Sequence, residues 1–312
     1  MTLRLRAGAV TDIGRVRQIN QDNFLILDER GLYAVADGMG GHLGGEVASK
    51  LAVDALRASY AEGTVDALAA AIEEANLSIH DKGETDPELR GMGTTVVAVA
   101  AVPDDQGDET TGSLLVANVG DSRAYLFRDD ALTQLTEDHS MVADLVREGR
   151  ISEAEAEVHP QRNIVTRVLG VYDTVDIDLW PIDAVRGDRL LLCSDGLFNE
   201  VAKDQIAAVL RRLSDPQEAA AELVRRANEG GGRDNITVLV VDVVDDGGIA
   251  EAASGALAGA PSSLASDGPD LAGFTGARAE DPEAAPAPTG RRARRAQAPR
   301  PSGPGAPTAR SW

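Results

Sequence analysis

Apolar runs of strand length, rich in Val, Ile, Leu and Ala, limit the possible folds of this chain more than any other feature. They lie at residues 23–27, 32–36, 94–102, 113–119, 124–128, 188–193 and 236–244. Several are continuous rather than alternating, as expected of strands that are covered on both faces. Helical periodicity lies at 46–60, 65–82, 140–148, 204–213 and 215–228. Because helices do not follow each strand singly, the pattern disfavours a doubly wound parallel sheet and predicts an α+β fold with a two-layer antiparallel β core and helices outside.

The periodic pattern stops at about residue 250. Residues 250–312 consist mainly of Ala, Gly, Pro and Ser, and they include the cluster Arg291-Arg292-Ala293-Arg294-Arg295. A segment of this composition cannot bury enough apolar surface to offset the entropy lost on ordering. We therefore expect one domain over residues 1–249 and a disordered tail over residues 250–312.

Charge and hydropathy exclude several classes of function. Residues 1–249 carry a net charge of −22, and residues 250–312 carry +1. A surface this acidic repels nucleic acid and anionic lipid, so we expect no nucleic-acid binding by the domain. No apolar run reaches the length of a transmembrane helix, and no signal peptide is recognisable. With a single cysteine, Cys193, the chain suits a reducing compartment, and we expect a cytoplasmic protein.

Four aspartates stand where predicted strands meet tight loops: Asp37, Asp121, Asp195 and Asp234, each with a glycine within two residues. An apolar run leads into the first three and follows the fourth, so all four can lie at one edge of a sheet. Aspartate and backbone carbonyl oxygens suit Mg²⁺ or Mn²⁺, whereas the four histidines have no spacing that would hold zinc. The acids therefore predict a site for a hard divalent cation.

Such a site is suited to phosphoryl chemistry. Two ions held close together lower the pKa of a water between them and direct it at phosphorus. Glycine at position 38 permits its carbonyl to turn towards an ion. The forked guanidinium of Arg17, ahead of the first predicted core strand, can hold phosphate oxygens. Taken singly, however, each acid is more commonly a turn or capping residue, and an arginine in a polar loop is more commonly a solvated charge.

Six short motifs follow one another along the chain and give these residues a common context. They are Gly14-x-x-Arg17-x-x-Asn20-x-Asp22, Asp37-Gly-Met-Gly-Gly-His42, Gly91-Met-Gly-Thr-Thr95, Val119-Gly-Asp121-Ser-Arg123, Leu192-Cys-Ser-Asp195-Gly and Asp234-Asn235-Ile-Thr237. The ordered set covers residues 5–243 and resembles the metal-dependent protein phosphatases of type 2C. The resemblance is greatest to the bacterial members that oppose eukaryotic-like Ser/Thr kinases.

The resemblance implies a four-layer αββα sandwich, in which two antiparallel sheets are flanked by helix pairs. It implies a dinuclear Mn²⁺ or Mg²⁺ centre that hydrolyses phosphoserine and phosphothreonine through a bridging water. By matching position, Asp37 would bridge both ions, the Gly38 carbonyl would bind one, and Asp195 and Asp234 would complete the pair. Asp121, together with Asp195, matches the ligands of a weaker third ion.

Other matched positions concern substrate and regulation. Arg17 matches the phosphate clamp, and Asp22 matches the acid near the metal-bound waters. Residues 138–170, here called the flap segment, match the flap of the family, in which the carbonyl of Asn163 would approach the third ion. From pattern alone, this segment is equally well interpreted as a plain surface subdomain. The implied partners are phosphorylated proteins and a Ser/Thr kinase, and we expect a monomer.

The sequence departs from the family at Gln21, where an acid is common, so a water-mediated contact to the metals is expected to weaken. Two alternative functions stay open. One is a regulatory pseudophosphatase that binds a phosphoprotein or kinase without turnover, although the principal metal ligands are all present. The other is a phosphatase that acts on a partner-switching anti-sigma antagonist.

Overall fold

The computed structural model describes residues 3–61, 63–103 and 112–245. The predicted tail over residues 250–312 lies outside them. The strands of this part are β1 (Arg4–Asp12), β2 (Asp22–Leu27), β3 (Leu32–Met39), β4 (Gly93–Thr94), β5 (Val96–Pro103), β6 (Gly112–Val119), β7 (Arg123–Arg128), β8 (Ala131–Gln134), β9 (Asp178–Asp183), β10 (Arg189–Cys193) and β11 (Ile236–Asp245). The helices are α1 (Gly41–Ser59), α2 (Val65–Thr85), α3 (Met141–Arg147), α4 (Glu153–Glu157), α5 (Asp195–Phe198), α6 (Lys203–Arg212) and α7 (Pro216–Gly230).

The strands form two antiparallel sheets. The first sheet has the order β1-β11-β10-β7-β8. The second has the order β2-β3-β5-β6-β9, and the short strand β4 pairs with β3. Helices α1 and α2 pack on the second sheet, while α6 and α7 pack on the first. The predicted α+β sandwich of two antiparallel sheets with flanking helix pairs is confirmed.

Alternate side chains of the central strands fill different core layers. In β3, Tyr33 and Val35 face the first sheet, whereas Ala34 and Ala36 face α1 and α2. In β10, Leu190 and Leu192 occupy the layer between the sheets. Because both faces of these strands are covered, their sequences are apolar throughout. This packing explains the continuous runs that dominate the sequence.

Three strands were not predicted from the sequence, and all lie at sheet edges: β1, β8 and β9. Strand β9 contains Pro181, and proline is tolerated in a sheet mainly at an edge, where no ladder bond is lost. Edge strands are partly exposed, so their sequences lack a strong apolar signal. The short helices α4 and α5 were likewise not predicted.

The end of β3 also differs from the prediction. The strand continues to Met39, beyond the apolar run that ends at Ala36, and so Asp37 lies inside the strand. There Asp37 faces Asp22 of β2 in the antiparallel register. The glycine at position 38 permits this extension because the strand can then pack closely on the first turns of α1, at the Gly45 carbonyl.

The flap segment lies between β8 and β9 and contains α3 and α4. Its two ends are joined by backbone hydrogen bonds, from Met141 N to Ile164 O at 2.9 Å and from Thr166 N to His139 O at 2.8 Å. The segment therefore leaves and re-enters the sandwich at one place. Across the described ranges, no helix has both the length and the apolar character needed to cross a bilayer.

Candidate metal centre

The four predicted acids come from both sheets. Asp37 lies in β3 and Asp121 follows β6, both in the second sheet. Asp195 follows β10 and Asp234 precedes β11, both in the first sheet. The expectation of a single sheet edge is therefore wrong. In a sandwich the ends of strands from two stacked sheets meet, and these acids face one another across that junction.

The electrostatics of Asp37 show how closely the acids approach. Burial raises the pKa of the Asp37 carboxyl well above its usual range, and so do the charges of Asp22, Asp195, Asp121 and Asp234. Each of these four carboxylates therefore acts on Asp37. Repelling carboxylates gathered in a poorly solvated site are typical of a place that receives a cation.

Asp195 and Asp121 show the same effects. Burial, followed by the charges of Asp121, Asp234 and Asp22, raises the pKa of Asp195 to about 8, and the charge of Arg17 opposes that rise. Burial and the charge of Asp138 raise the pKa of Asp121 to about 6. The charges of both Asp121 and Asp234 therefore act on Asp195, as expected of a carboxylate shared between two ion positions.

Asp22 is the most buried of these acids, with 4% of its surface exposed. Ser194 Oγ donates a hydrogen bond of 2.7 Å to Asp22 Oδ2, and the Thr237 backbone N–H donates to Ser194 Oγ at 2.9 Å. Burial raises the pKa of Asp22 to about 6 despite these hydrogen bonds. The other oxygen, Oδ1, is buried and accepts no hydrogen bond within the described chain. It is therefore a buried acceptor without a donor among the described residues.

Arg17 belongs to the same constellation. Its Nη2 atom donates to Asp234 Oδ2 at 2.6 Å, and both side chains are partly exposed. Asn235 holds the loop of Arg17 against Asp234: its Nδ2 donates to the carbonyls of Ile13 and Ile19, and its Oδ1 accepts from the Gln21 backbone N–H. The phosphate clamp expected from the sequence is therefore placed beside the acids, although its pairing with one of them was not foreseen.

Comparison with known proteins identifies the chain. The sequence profile described as Protein phosphatase 2C matches residues 15–236. The chain belongs to this family.

Related proteins agree with that assignment. The chain is 42% identical over 243 residues to the serine/threonine phosphatase Stp of Listeria innocua, a match over 74% of this chain and 93% of that protein. It is 43% identical over 249 residues to the serine/threonine protein phosphatase PstP of Mycobacterium tuberculosis, over 78% of this chain and 46% of that protein.

A solved structure of the catalytic domain of PstP in complex with two manganese ions superposes with a TM-score of 0.69. The two sequences are 40% identical, over 78% of this chain and all of that one. The chain is accordingly a metal-dependent protein serine/threonine phosphatase, and it acts on phosphorylated proteins.

Two glycines next to the acids of this phosphatase are required by close backbone approaches. A Cβ on Gly38 would overlap the carbonyl oxygen of Gly45, and a Cβ on Gly196 would overlap the carbonyl oxygen of Asn235. The backbone that carries Asp37 and Asp195 is therefore packed directly against neighbouring main chain. Any side chain at these two positions would force the neighbouring backbone to shift.

Two threonines fix the backbone of Asp37, a role that sequence reasoning missed. Thr95 Oγ1 accepts from the Asp37 backbone N–H at 3.0 Å, and Thr94 Oγ1 donates to the Asp37 carbonyl at 2.8 Å. Thr95 also shares a hydrogen bond with Ser122, the residue after Asp121. These two threonines end the motif Gly91-Met-Gly-Thr-Thr95, which by sequence alone had no separate chemical role. Its position in the ordered set was the one available signal of this connection.

The structure does not bring every predicted residue together. Asn163 is exposed in the flap segment and forms no hydrogen bond with any of the acids. The Gln21 side chain donates weakly to the Gly41 carbonyl at 3.4 Å, while the Gln21 backbone carbonyl accepts from the Gly38 N–H at 3.1 Å. The side chain of His42 lies outside the described part of the structure.

The residues present fit a divalent cation in their chemistry, although their side chains are not drawn together. Among the described residues, no three His, Cys, Asp or Glu side chains converge closely enough to hold an ion. The neighbouring acids nevertheless lie near enough for their charges to raise the pKa of Asp37. The donor set consists of carboxylate and carbonyl oxygens, which Mn²⁺ and Mg²⁺ prefer. The unpartnered Asp22 Oδ1 atom supplies a further acceptor at the same place.

Proposed function

We propose that this phosphatase hydrolyses phosphoserine and phosphothreonine with a pair of Mn²⁺ or Mg²⁺ ions. Asp37 would contact both ions, with Asp195, Asp234 and the Gly38 carbonyl completing the pair. One observation carries the proposal: four other carboxylates, drawn from both sheets, all act on Asp37. The PstP catalytic domain in complex with two manganese ions supports the count.

A weaker third ion belongs to the same proposal. Asp121 and Asp195 would hold it, and the carbonyl of Asn163 would approach it from the flap segment. The support is electrostatic. After burial, the charge of Asp121 makes the largest contribution to the raised pKa of Asp195. Asn163 is exposed, so its carbonyl would be free to accept such a contact.

When bound, the ions would supply Lewis acidity and lower the pKa of water at neutral pH. The chain itself contributes orientation and charge. The forked guanidinium of Arg17 can bind two oxygens of the phosphoryl group, provided that it leaves Asp234 Oδ2. Asp22 is fixed by Ser194 through Oδ2, so that Oδ1 remains available to accept a hydrogen bond or a proton in the site.

A metal series on two phosphopeptides tests the proposal. The full chain is treated with a chelator, dialysed, and assayed on a phosphothreonine and a phosphotyrosine peptide of the same sequence over a range of Mn²⁺ and Mg²⁺ concentrations. We expect turnover of the phosphothreonine peptide only with metal, and much slower turnover of the phosphotyrosine peptide. A chain that captures the phosphothreonine peptide but binds no Mn²⁺ in calorimetry would instead be the pseudophosphatase.

Arg17 provides a second prediction. Replacing Arg17 with Ala is expected to lower kcat/KM for the phosphothreonine peptide by about 10²-fold, since a charge-assisted contact to the phosphoryl group is lost. Arg17→Lys should recover only part of the loss, because an ammonium group cannot bind two oxygens as a fork does. The matched control is Arg15→Ala in the same loop, where Arg15 binds the Asn228 carbonyl instead. Equal kinetics for Arg17→Ala and Arg15→Ala would contradict the assignment.

We also propose that the catalytic unit ends before residue 250 and acts as a cytoplasmic monomer that reverses bacterial Ser/Thr kinase signalling. The described part of the chain already contains both complete sheets and all the proposed ligands. Shortening the chain to residues 1–249 is therefore expected to change peptide kcat by less than about twofold, an effect typical of surface positions. A large fall in kcat would show that the tail belongs to the catalytic unit, and light scattering of both forms would test the monomer.

A further inference from the structure

We propose that His139 is a positioning residue of this phosphatase, which holds the Gly120 peptide and thereby sets the direction of Asp121. The inference rests on the proposed role of Asp121 as a ligand of the weaker ion. His139 stands at the first turn of the flap segment, in the sequence Asp138-His139-Ser140. The proposed reaction requires nothing of this side chain, whose ring contacts Gly120 and Asp178.

His139 contacts Gly120 with two hydrogen bonds of opposite direction. The His139 backbone N–H donates to Gly120 O at 3.0 Å, and the Gly120 backbone N–H donates to His139 Nδ1 at 3.0 Å. Asn118 Nδ2 supports the same carbonyl at 3.0 Å. Hydrogen bonds thus hold both the N–H and the carbonyl of Gly120, one residue before Asp121. Because His139 is 4% exposed, water cannot easily replace these contacts.

The contacts of the ring define its tautomer. Since Nδ1 accepts from Gly120, the proton of a neutral imidazole must be on Nε2, which then donates to Asp178 Oδ2 at 3.0 Å. Arg167 Nη1 donates to the other oxygen of Asp178 at 2.7 Å and so fixes that carboxylate. The same Nη1 atom lies 3.0 Å from Nε2, but two donors cannot bond each other. Asp178 therefore orients the ring as outer carboxylates orient histidines at metal sites.

His139 also joins the two ends of the flap segment. Ser140 and α3 follow it directly, and its carbonyl accepts from Thr166 N at 2.8 Å at the returning end. Arg167, the next residue, reaches Asp178 on β9. A displacement of the flap segment must therefore act on His139 and, through Gly120, on Asp121. The geometry connects the flap segment to one specific carboxylate of the centre.

The alternative is that His139 only fills the core, and a pair of substitutions separates the two roles. His139→Asn keeps an acceptor close to the position of Nδ1, whereas His139→Leu has a similar volume and no acceptor. Both lose the ring, so a merely structural role would affect them alike. Mn²⁺ is titrated into each full-length variant by calorimetry, with Asp121→Asn as the reference for loss of the weak step.

We expect His139→Leu to weaken the low-affinity Mn²⁺ step by about 10–100-fold, as outer partners of metal ligands commonly do. The high-affinity steps should remain within about threefold, and His139→Asn should stay close to wild type throughout. If His139→Leu keeps the weak step while Asp121→Asn loses it, the inference fails and the proposed function stands. If Asp121→Asn keeps the weak step, the third-ion assignment fails and takes the inference with it. No Mn²⁺ binding by the wild type would remove the proposed function itself.

A second measurement avoids changing the buried ring. Asp178 is partly exposed, so Asp178→Ala is expected to fold. Nitrogen-15 spectra of the metal-free wild type should show the proton of His139 on Nε2, and Asp178→Ala should shift the ring towards the other tautomer and weaken the low-affinity Mn²⁺ step. Asp178→Asn, which retains an acceptor, should restore both. A wild-type ring protonated on Nδ1 would overturn the inference, because Nδ1 could not then accept from Gly120.

Discussion

Replacing Asp37 with Asn is expected to lower kcat for a phosphothreonine peptide by on the order of 10³-fold or more at saturating Mn²⁺. The substitution keeps the size of the side chain and removes the carboxylate on which the four other acids act. An amide is a weak ligand for a hard cation, and it cannot contact two ions with two anionic oxygens. Single-turnover and steady-state assays on the same peptide measure the loss.

The matched control is Asp54→Asn, an exposed acid of α1 whose recorded partner is Lys50. It removes the same charge at a distance from the junction and should leave kcat within about twofold, as surface substitutions do. Thermal unfolding of the metal-free proteins provides a check on folding. Asp37→Asn should be at least as stable as the wild type, since it removes a carboxylate whose charge is opposed by burial and by its neighbours. A stable, fully active Asp37→Asn variant would contradict the proposed mechanism.

The stability of the metal-free protein is expected to fall as pH rises from 6.5 to 8. The pKa of Asp195 is about 8 in the fold, against an ordinary value of 3.8. A carboxyl with a raised pKa holds its proton in the folded state after the unfolded chain has lost it. Its contribution is therefore complete below pH 4 and is lost as pH passes through about 8. One such group accounts for a loss of about 1.5 kcal/mol over this interval.

Other titrating groups define that interval. Burial lowers the pKa of His139, so that the unfolded chain takes up the extra proton below about pH 6.5 and destabilises the fold. Burial raises the pKa of the Cys193 thiol, whose contribution begins to be lost above about pH 8. Urea unfolding of the chelator-treated chain at several pH values measures the slope. The variant Asp195→Asn should reduce the slope, to which Asp37 also contributes, and be more stable than the wild type at pH 8.

Saturating Mn²⁺ should abolish or reverse this dependence. Metal binding requires ionised carboxylates and releases their protons, so the ions stabilise the fold more at pH 8 than at pH 6.5. A metal-free chain whose stability rises between these pH values would show that Asp195 is not held protonated by its surroundings. A rise in stability between these pH values that occurs only in the presence of Mn²⁺ would agree with our expectation.

Much of the fold could be predicted because central strands of a sandwich are buried on both faces. The apolar runs that became β3, β5, β6, β10 and β11 were recognised for that reason. Edge strands gave a weaker signal, and β9 includes a proline. The separation of the strands into two sheets carries no local signal at all. Because of that separation, the four acids lie at the junction of the two sheets and not at the single edge expected from the sequence.

The sequence alone determined the chemistry of this protein. Ligand type depends on residue identity, so Asp37, Asp121, Asp195 and Asp234 with their nearby glycines indicate a hard cation, and the ordered motifs with Arg17 indicate phosphate. The tertiary structure alone decided which atoms meet. Arg17 and Asp234 are 217 residues apart, and Ser194 and Asp22 are 172 apart. Contacts over such separations depend on strand order and register, since pairing of β1 with β11 and of β2 with β3 brings these ends together. The hydrogen bonds between His139 and Gly120 arise in the same way, because the path of the chain, and not a local motif, places the His139 ring beside Gly120.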